Sequence, residues 1–397
     1  ELPGRHVVSW NALITGYAQQ GQCFEALNCF QRMQDEGIAP DAVTFISILK
    51  ACGSTGDIDK GGQIHDKIVS RGLLEKNIVM GNALVDMYAK CGFMEKAQRV
   101  LEELPIQNIV VWNSLIGGYA QQGQWEEALK CFDRMQRKGL CPDAVSFVCV
   151  LKAAGSARAI DEGKKIHKEI VNRGFLPEDI TLATSLVDMY AKCGVVVKAQ
   201  QILNELPVKN VVTWNALIEG YAQYGEGDGA MNCFKQMKKE GLTPDVVTFL
   251  SLLKACGNTK SIDMGKQIHN EIVSRGLLEK NIVLGNVLVD MYAKCGMLVN
   301  AWKVLNELPV RNVVSWSALI AGCIQQGNDQ EALYCYERMR SEGLSPDAIT
   351  FTSVLKACGS VRSFDLGKDI HEEVVRKGLL RKDTILGTAL LDMYAKC

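Results

Sequence analysis

No run of apolar residues in the 397-residue chain approaches the roughly 20 that a bilayer span needs, so no transmembrane helix is expected. A strong charge of either sign is also missing. Forty-four Lys and Arg oppose 45 Asp and Glu, a formal net charge of -1, so bulk attraction to a polyanion is not what selects a partner. The 15 cysteines include no C-x-x-C pair, which argues against a zinc site or a dithiol redox centre. Their odd number and regular placement (Cys91, Cys193, Cys295, Cys397; Cys29, Cys131, Cys233, Cys335) fit small buried thiols in a reducing compartment. There is no phosphate-cradling glycine loop and no nucleophile elbow. No signal or transit peptide is legible either. The chain opens at Glu-Leu-Pro and stops at Ala-Lys-Cys, both fragments of internally repeated phrases, so the expectation is that both ends are cut from a longer protein.

A single compact core is excluded by length, since cores stop growing at roughly 250–300 residues. What the chain has instead is repetition. Trp10, Trp112, Trp214 and Trp316 stand 102 residues apart, and His65, His167, His269 and His371 keep that interval. Each 102-residue block divides into related units of 35, 36 and 31 residues. In the unit 211–245, Trp214, Leu217, Ile218, Tyr221 and Ala222 fall at i, i+3, i+4, i+7 and i+8, one face of a helix. Gly225 breaks that pattern, a second helix turns Ala230, Phe234 and Met237 inward, and Gly241 with Pro244 ends it. The unit 246–281 repeats the plan with Phe249, Leu252, Leu253, Ile262, Ile268 and Ile272. The unit 282–312 does so with Leu288, Val289, Met291, Tyr292, Ala301, Val304 and Leu305. A lone helical hairpin cannot bury both its faces, so neighbours must stack. The predicted fold class is all-α: a right-handed α-solenoid, or superhelix, of helical hairpin repeats.

The pattern W-x-x-L-x-x-x-Y…A-x-x-x-F…P (Trp10, Leu13, Tyr17, Ala26, Phe30, Pro40) also fits tetratricopeptide repeats, whose units run about 34 residues. Here the units cycle through 35, 36 and 31 residues. That rotation, with the phrases W-N-A-L-I-x-G-Y, F-x-x-x-L-K-A-C-G, G-x-x-I-H and L-V-D-M-Y-A-K-C-G, resembles plant pentatricopeptide repeat proteins of the PLS subclass. By that resemblance 7–41, 109–143, 211–245 and 313–347 are P-type repeats. Residues 42–77, 144–179, 246–281 and 348–383 are L-type, and 78–108, 180–210 and 282–312 are S-type. Residues 1–6 are the end of a truncated repeat, and 384–397 a partial S-type repeat. The resemblance implies sequence-specific binding of single-stranded RNA, about one base per repeat, in mitochondria or chloroplasts. It implies the recognition module of a cytidine-to-uridine editing factor, whose DYW-type deaminase would lie beyond Cys397, so the chain itself is read as non-enzymatic. It also implies small organellar editing proteins as partners, and it calls for no cofactor, metal or membrane.

In this family the fifth residue of a unit and its last residue face one base edge. Asparagine carries both donor and acceptor on an arm that reaches a pyrimidine, whereas Ser or Thr leaves room for a purine. A final aspartate only accepts, favouring U or G, and a final asparagine can donate to the bare ring nitrogen of C or A. Asn11–Asp41, Asn113–Asp143 and Asn215–Asp245 then favour U, and Ser317–Asp347 favours G. Asn82–Asn108 and Asn286–Asn312 favour C with U tolerated, and Thr184–Asn210 favours A. In L-type units Ile46, Val148 and Leu250 cannot hydrogen-bond a base and Thr352–Asp383 has the G-type pair; in the partial S-type repeat Thr388 begins a purine-type pair. The expected site is 5′-U-N-C-U-N-A-U-N-C-G-N-R-3′. Asp41 and its equivalents also precede helices and fit helix N-caps. The second residues Val8, Val43, Val79, Val110, Val145, Val212, Val247, Val283 and Val314 would sandwich the bases or pack between helices. Lys90, Lys192, Lys294 and Lys396 would touch phosphates or stand in solvent.

His167-Lys-Glu169, His269-Asn-Glu271 and His371-Glu-Glu373 match the H-x-E half of a zinc deaminase signature, but its P-C-x-x-C half is absent. Three copies at repeat spacing read as framework. Two alternatives to editing stand beside it: an RNA stability or processing factor, and a tetratricopeptide-like scaffold holding a peptide.

Overall fold

The computed structural model describes residues 6–75, 77–176, 179–381 and 383–397. Residues 1–5, most of the truncated repeat, lie outside them. The described residues form 23 α-helices and one short 3-10 helix, with no strand. They fall into two compact segments, Glu1–Val208 and Lys209–Cys397. Within each segment the chain is an α-solenoid of helical hairpins.

Local chemistry sets where each first helix begins. Asp41, Asp143, Asp245 and Asp347 stand in extended backbone and accept the N–H of the residue three positions on, as do Asn108, Asn210 and Asn312. Asn77, Asp179, Asn281 and Asp383 cap four more first helices in the same way, while the helix Val7–Gln19 follows His6 without a side-chain cap. Gly21, Gly123, Gly225 and Gly327, with φ of 73–74°, turn the chain between the two helices of the 35-residue hairpins. In the 36-residue hairpins Gly56 does this once, and Arg158, Lys260 and Arg362 take the same left-handed conformation at φ 54–56°.

Within each segment, first helices pack on first helices of successive hairpins, and second helices pack on their own partners and on the next first helix. The result in each segment is two layers with the core between them. Trp112, Trp214, Trp316, Phe45, Phe147, Phe249 and Phe351 are buried there. Gly118 faces Ala89 so closely that a Cβ on it would lie 2.7 Å from the Ala89 Cβ. Leu13, placed in the core motif by the sequence pattern, is 50% exposed, while its equivalents Leu115, Leu217 and Leu319 are buried. No described hairpin precedes Leu13 to cover it. The expectation of buried thiols holds for nine cysteines, and burial pushes Cys52, Cys233, Cys256 and Cys358 up to about 12. It fails for Cys141, which sits exposed beside Pro142 where one hairpin ends, and for Cys397.

Candidate nucleic-acid interface

The fifth residue of a first helix and the capping residue of the next are separated by 26–30 positions, yet they meet in space. The Asn11 amide donates to both carboxylate oxygens of Asp41 at 2.9 Å. Asn113 donates to Asp143 at 3.0 Å, Asn215 to Asp245 at 2.9 Å, and Asn286 to Asn312 at 3.3 Å. All four fifth-position asparagines are more than nine-tenths buried, while Asp41 and Asp245 are exposed. Each amide therefore lies at the floor of the groove, with the capping group at its wall.

A third side chain joins every one of these pairs. Thr44, Ser146, Thr248 and Ser315 are the third residues of their helices, and each donates its hydroxyl to the asparagine Oδ1, at 2.5, 2.7, 2.6 and 2.6 Å respectively. The same hydroxyls accept the N–H of Asp41, Asp143, Asp245 and Asn312, closing a capping box. Sequence reasoning missed these hydroxyls, although the recurrent [D/N]-x-x-[S/T] spacing signals them.

Burial opposes ionisation of Asp41, Asp143 and Asp245. The donated backbone N–H and asparagine amide outweigh it and hold each carboxyl below its usual range. These carboxylates are acceptors at neutral pH.

The other expected pairs differ. Ser317 turns its hydroxyl inward to Val313 O at 2.7 Å and meets the Thr350 hydroxyl at 2.6 Å, so it does not reach Asp347. Thr352 and Thr388 donate to the carbonyls four residues back, Ala348 and Thr384, and Asp383 caps the helix Thr384–Lys396. Thr184 donates to Ile180 O and belongs to the first segment, whereas Asn210 belongs to the second. Among the described residues no hydrogen bond joins Asn82 to Asn108, and the buried Asn82 Oδ1 has no partner. Ile46, Val148 and Leu250 are half-buried and offer only apolar surface.

The second-position valines are 48–72% exposed, too open for core packing. Ile349 and Ile385, which the valine pattern overlooked, hold the same position at 70% and 69%. In one hollow of about 430 Å³, Val110 and Val145 flank Asn113 and Asp143, with Asp86 and Lys90 alongside. Lys90, Lys192, Lys294 and Lys396 each pair with the aspartate four residues back, at 2.6–2.7 Å. A second series went unnoticed in the sequence. Lys50, Lys152, Lys254 and Lys356 are exposed, carry no ion pair among the described residues, and follow the second and fifth residues at i+7 and i+4.

The histidines of the H-x-E phrases bond tyrosine hydroxyls through Nδ1 at 2.8–2.9 Å, as does His65. No group of metal-ligating residues occurs among the described residues.

Comparison with known proteins gives a consistent result. A PPR repeat family model matches residues 5–54, 107–156, 209–258 and 311–360, and a PPR repeat model matches six stretches from 43–73 to 349–379. A chloroplastic pentatricopeptide repeat-containing protein of Arabidopsis thaliana is 33% identical over 397 residues, which make up 64% of that relative. A mitochondrial one from the same plant is 36% identical over 397 residues, 38% of its length. The chain thus spans only part of these relatives. Among solved structures, the pentatricopeptide repeat protein PPR10, from maize, in complex with an 18-nt RNA element aligns with a TM-score of 0.70 at 21% identity, covering 93% of this chain and 55% of that one. Yeast Rmd9p in complex with a 16-nt target RNA aligns at 0.51 and 12% identity, covering 98% and 85%.

Proposed function

Since the chain belongs to the pentatricopeptide repeat family, we propose that it binds single-stranded RNA sequence-specifically, about one base per repeat. We place it as the recognition module of an organellar cytidine-to-uridine editing factor; relatives named chloroplastic and mitochondrial support the compartment. The observation that carries the reading is the fixed polarity of the four bonded pairs. With the Asn215 oxygen held by Thr248 and its nitrogen against Asp245 Oδ1, the groove meets one spare amide hydrogen and one carboxylate oxygen. A donor beside an acceptor matches the carbonyl and N3–H of uracil. In the Asn286–Asn312 pair, Asn312 Oδ1 is taken by the Ser315 N–H and by Asn286, so its own amide nitrogen faces the groove. Two donors match N3 and O2 of cytosine. Both sets lie between exposed apolar second residues that can cover the faces of an unstacked base.

The L-type repeats contribute differently. In three of them the fifth residue, Ile46, Val148 or Leu250, cannot read an edge, and Lys50, Lys152, Lys254 and Lys356 on the same helical face, without an ion pair among the described residues, suit phosphates. The expected preference follows pair order along the chain, 5′-U-N-C-U-N-A-U-N-C-G-N-R-3′. Fluorescence anisotropy with this 12-mer against a scrambled one tests the proposal. At about 1–3 kcal/mol per well-made pair, affinity should differ by on the order of a hundredfold or more. Equal affinities would overturn it.

A further inference from the structure

The third-position hydroxyls are fully buried, and Thr44, Ser146, Thr248 and Ser315 have no surface with which to touch a base. Each nevertheless contributes the shortest hydrogen bond in its cluster, to the oxygen of the fifth-position amide. An asparagine amide is nearly symmetric in shape, so only its hydrogen-bond partners decide whether nitrogen or oxygen faces outward. We infer that this buried hydroxyl is a specificity-determining positioning residue: it sets the polarity of the reading amide and hence which base is accepted.

The chain contains its own comparison. Asn82–Asn108 and Asn286–Asn312 are the same pair in the same repeat type. At the third position of the following helix, however, one has Val111 and the other Ser315. Both residues are fully buried, and both capping asparagines still receive the backbone N–H, at 3.0 and 2.9 Å. The difference falls on the fifth residue. Asn286 Oδ1 accepts the Ser315 hydroxyl at 2.6 Å, whereas Asn82 Oδ1 is buried without a donor. Nothing holds the Asn82 amide against rotation by half a turn, which would point its oxygen outward to accept a hydrogen from uracil N3. The third base of the site is therefore read as C or U almost indifferently, and the ninth as C.

This inference rests on the base-pairing reading proposed above, and the test separates the two. The C-to-U affinity ratio is measured at the third and at the ninth base of the 12-mer, for the wild-type chain, Val111→Thr, Ser315→Val and Ser315→Thr. In the wild type the ratio at the ninth base should exceed that at the third by roughly three- to tenfold, the worth of one hydrogen bond. Val111→Thr, nearly isosteric, should raise the third-base ratio and leave the ninth alone. Ser315→Val should bring the ninth-base ratio down to that of the third, and Ser315→Thr should preserve it. A merely structural hydroxyl would lower affinity for every oligonucleotide alike and leave both ratios untouched. Equal wild-type ratios at the two bases, or a folded Val111→Thr chain with an unchanged third-base ratio, overturns the inference while leaving base pairing intact. Should neither base discriminate in the wild type, base pairing itself is what falls. If one variant fails to fold, the wild-type comparison of the two bases still decides.

Discussion

Replacing Asp245 by Asn separates two duties that one side chain performs together. Asp245 Oδ1 accepts the Thr248 N–H at 2.9 Å, which caps the helix Val246–Thr259, and the Asn215 amide, also at 2.9 Å. The other oxygen is left for a base. In the variant the amide oxygen can keep both bonds, as Asn312 keeps them with Ser315 and Asn286 at 2.9 and 3.3 Å. Asn and Asp cap helices about equally well, and losing the charge at a helix N-terminus costs about 0.3–1 kcal/mol, so stability should fall by less than about 1 kcal/mol. The groove-facing atom, however, changes from acceptor to donor. Uracil at the seventh base loses its partner for N3–H, and cytosine gains one for N3. At about 1–3 kcal/mol for each edge contact, the U-versus-C difference should swing by roughly 2–6 kcal/mol, at least about thirtyfold in the affinity ratio. Asp245→Ala is the control. It loses the cap, at about 1 kcal/mol, and weakens U binding without creating a preference for C. Urea denaturation reads the first quantity, and anisotropy with 12-mers carrying U or C at the seventh base reads the second. If Asp245→Asn still prefers U there, the carboxylate is a helix cap alone and the base-pairing argument fails.

Two further outcomes follow from the packing. Gly322→Ala should cost about 1–3 kcal/mol in urea denaturation, because the new Cβ would overlap Ala293 Cβ and lie 3.2 Å from Ala293 Cα, which cannot rotate away; Gly16→Ala, with open space around it, should gain up to about 1 kcal/mol. Acidification should destabilise the chain through its histidines: burial lowers His65, His167 and His269, so the unfolded chain takes up protons first, and stability present above the usual histidine value near 6.5 is lost as pH falls through it toward the folded values. Urea midpoints at pH 7.5 and 5.5 check this, and equal midpoints in a chain whose His65, His167 and His269 are all Gln would confirm the assignment.

The hairpins were legible because their apolar residues obey the 3.6-residue period, and Trp214, Leu217, Ile218 and Tyr221 are buried as that period requires. The period says nothing about neighbours: Leu13 holds the position of the buried Leu217, yet it is half exposed because no described hairpin covers it. Meetings such as Asn215 with Asp245 were named from family resemblance, since a bond across 30 positions leaves no local trace. Thr248 escaped notice because its spacing from Asp245 is explained fully by a helix cap, and its second bond, to Asn215, exists only once the hairpins stack. The left-handed turn was readable at Gly56 and not at Arg158, Lys260 or Arg362, where a long cation holds a conformation that side chains seldom favour.

Because Asn215, Asp245 and Thr248 come from two successive hairpins, the conventional boundary at Asp245 cuts through the group proposed to read a single base. Anyone recombining such arrays to retarget them would do better to join fragments after Thr248 than after Asp245, so that Asn215 keeps both its capping partner and its hydroxyl donor. A splice there carries the fifth residue, the second helix, the capping residue and the following hydroxyl across as one block. A graft made at the customary seam puts a foreign third residue beneath an inherited asparagine, and inherits whichever orientation that stranger allows.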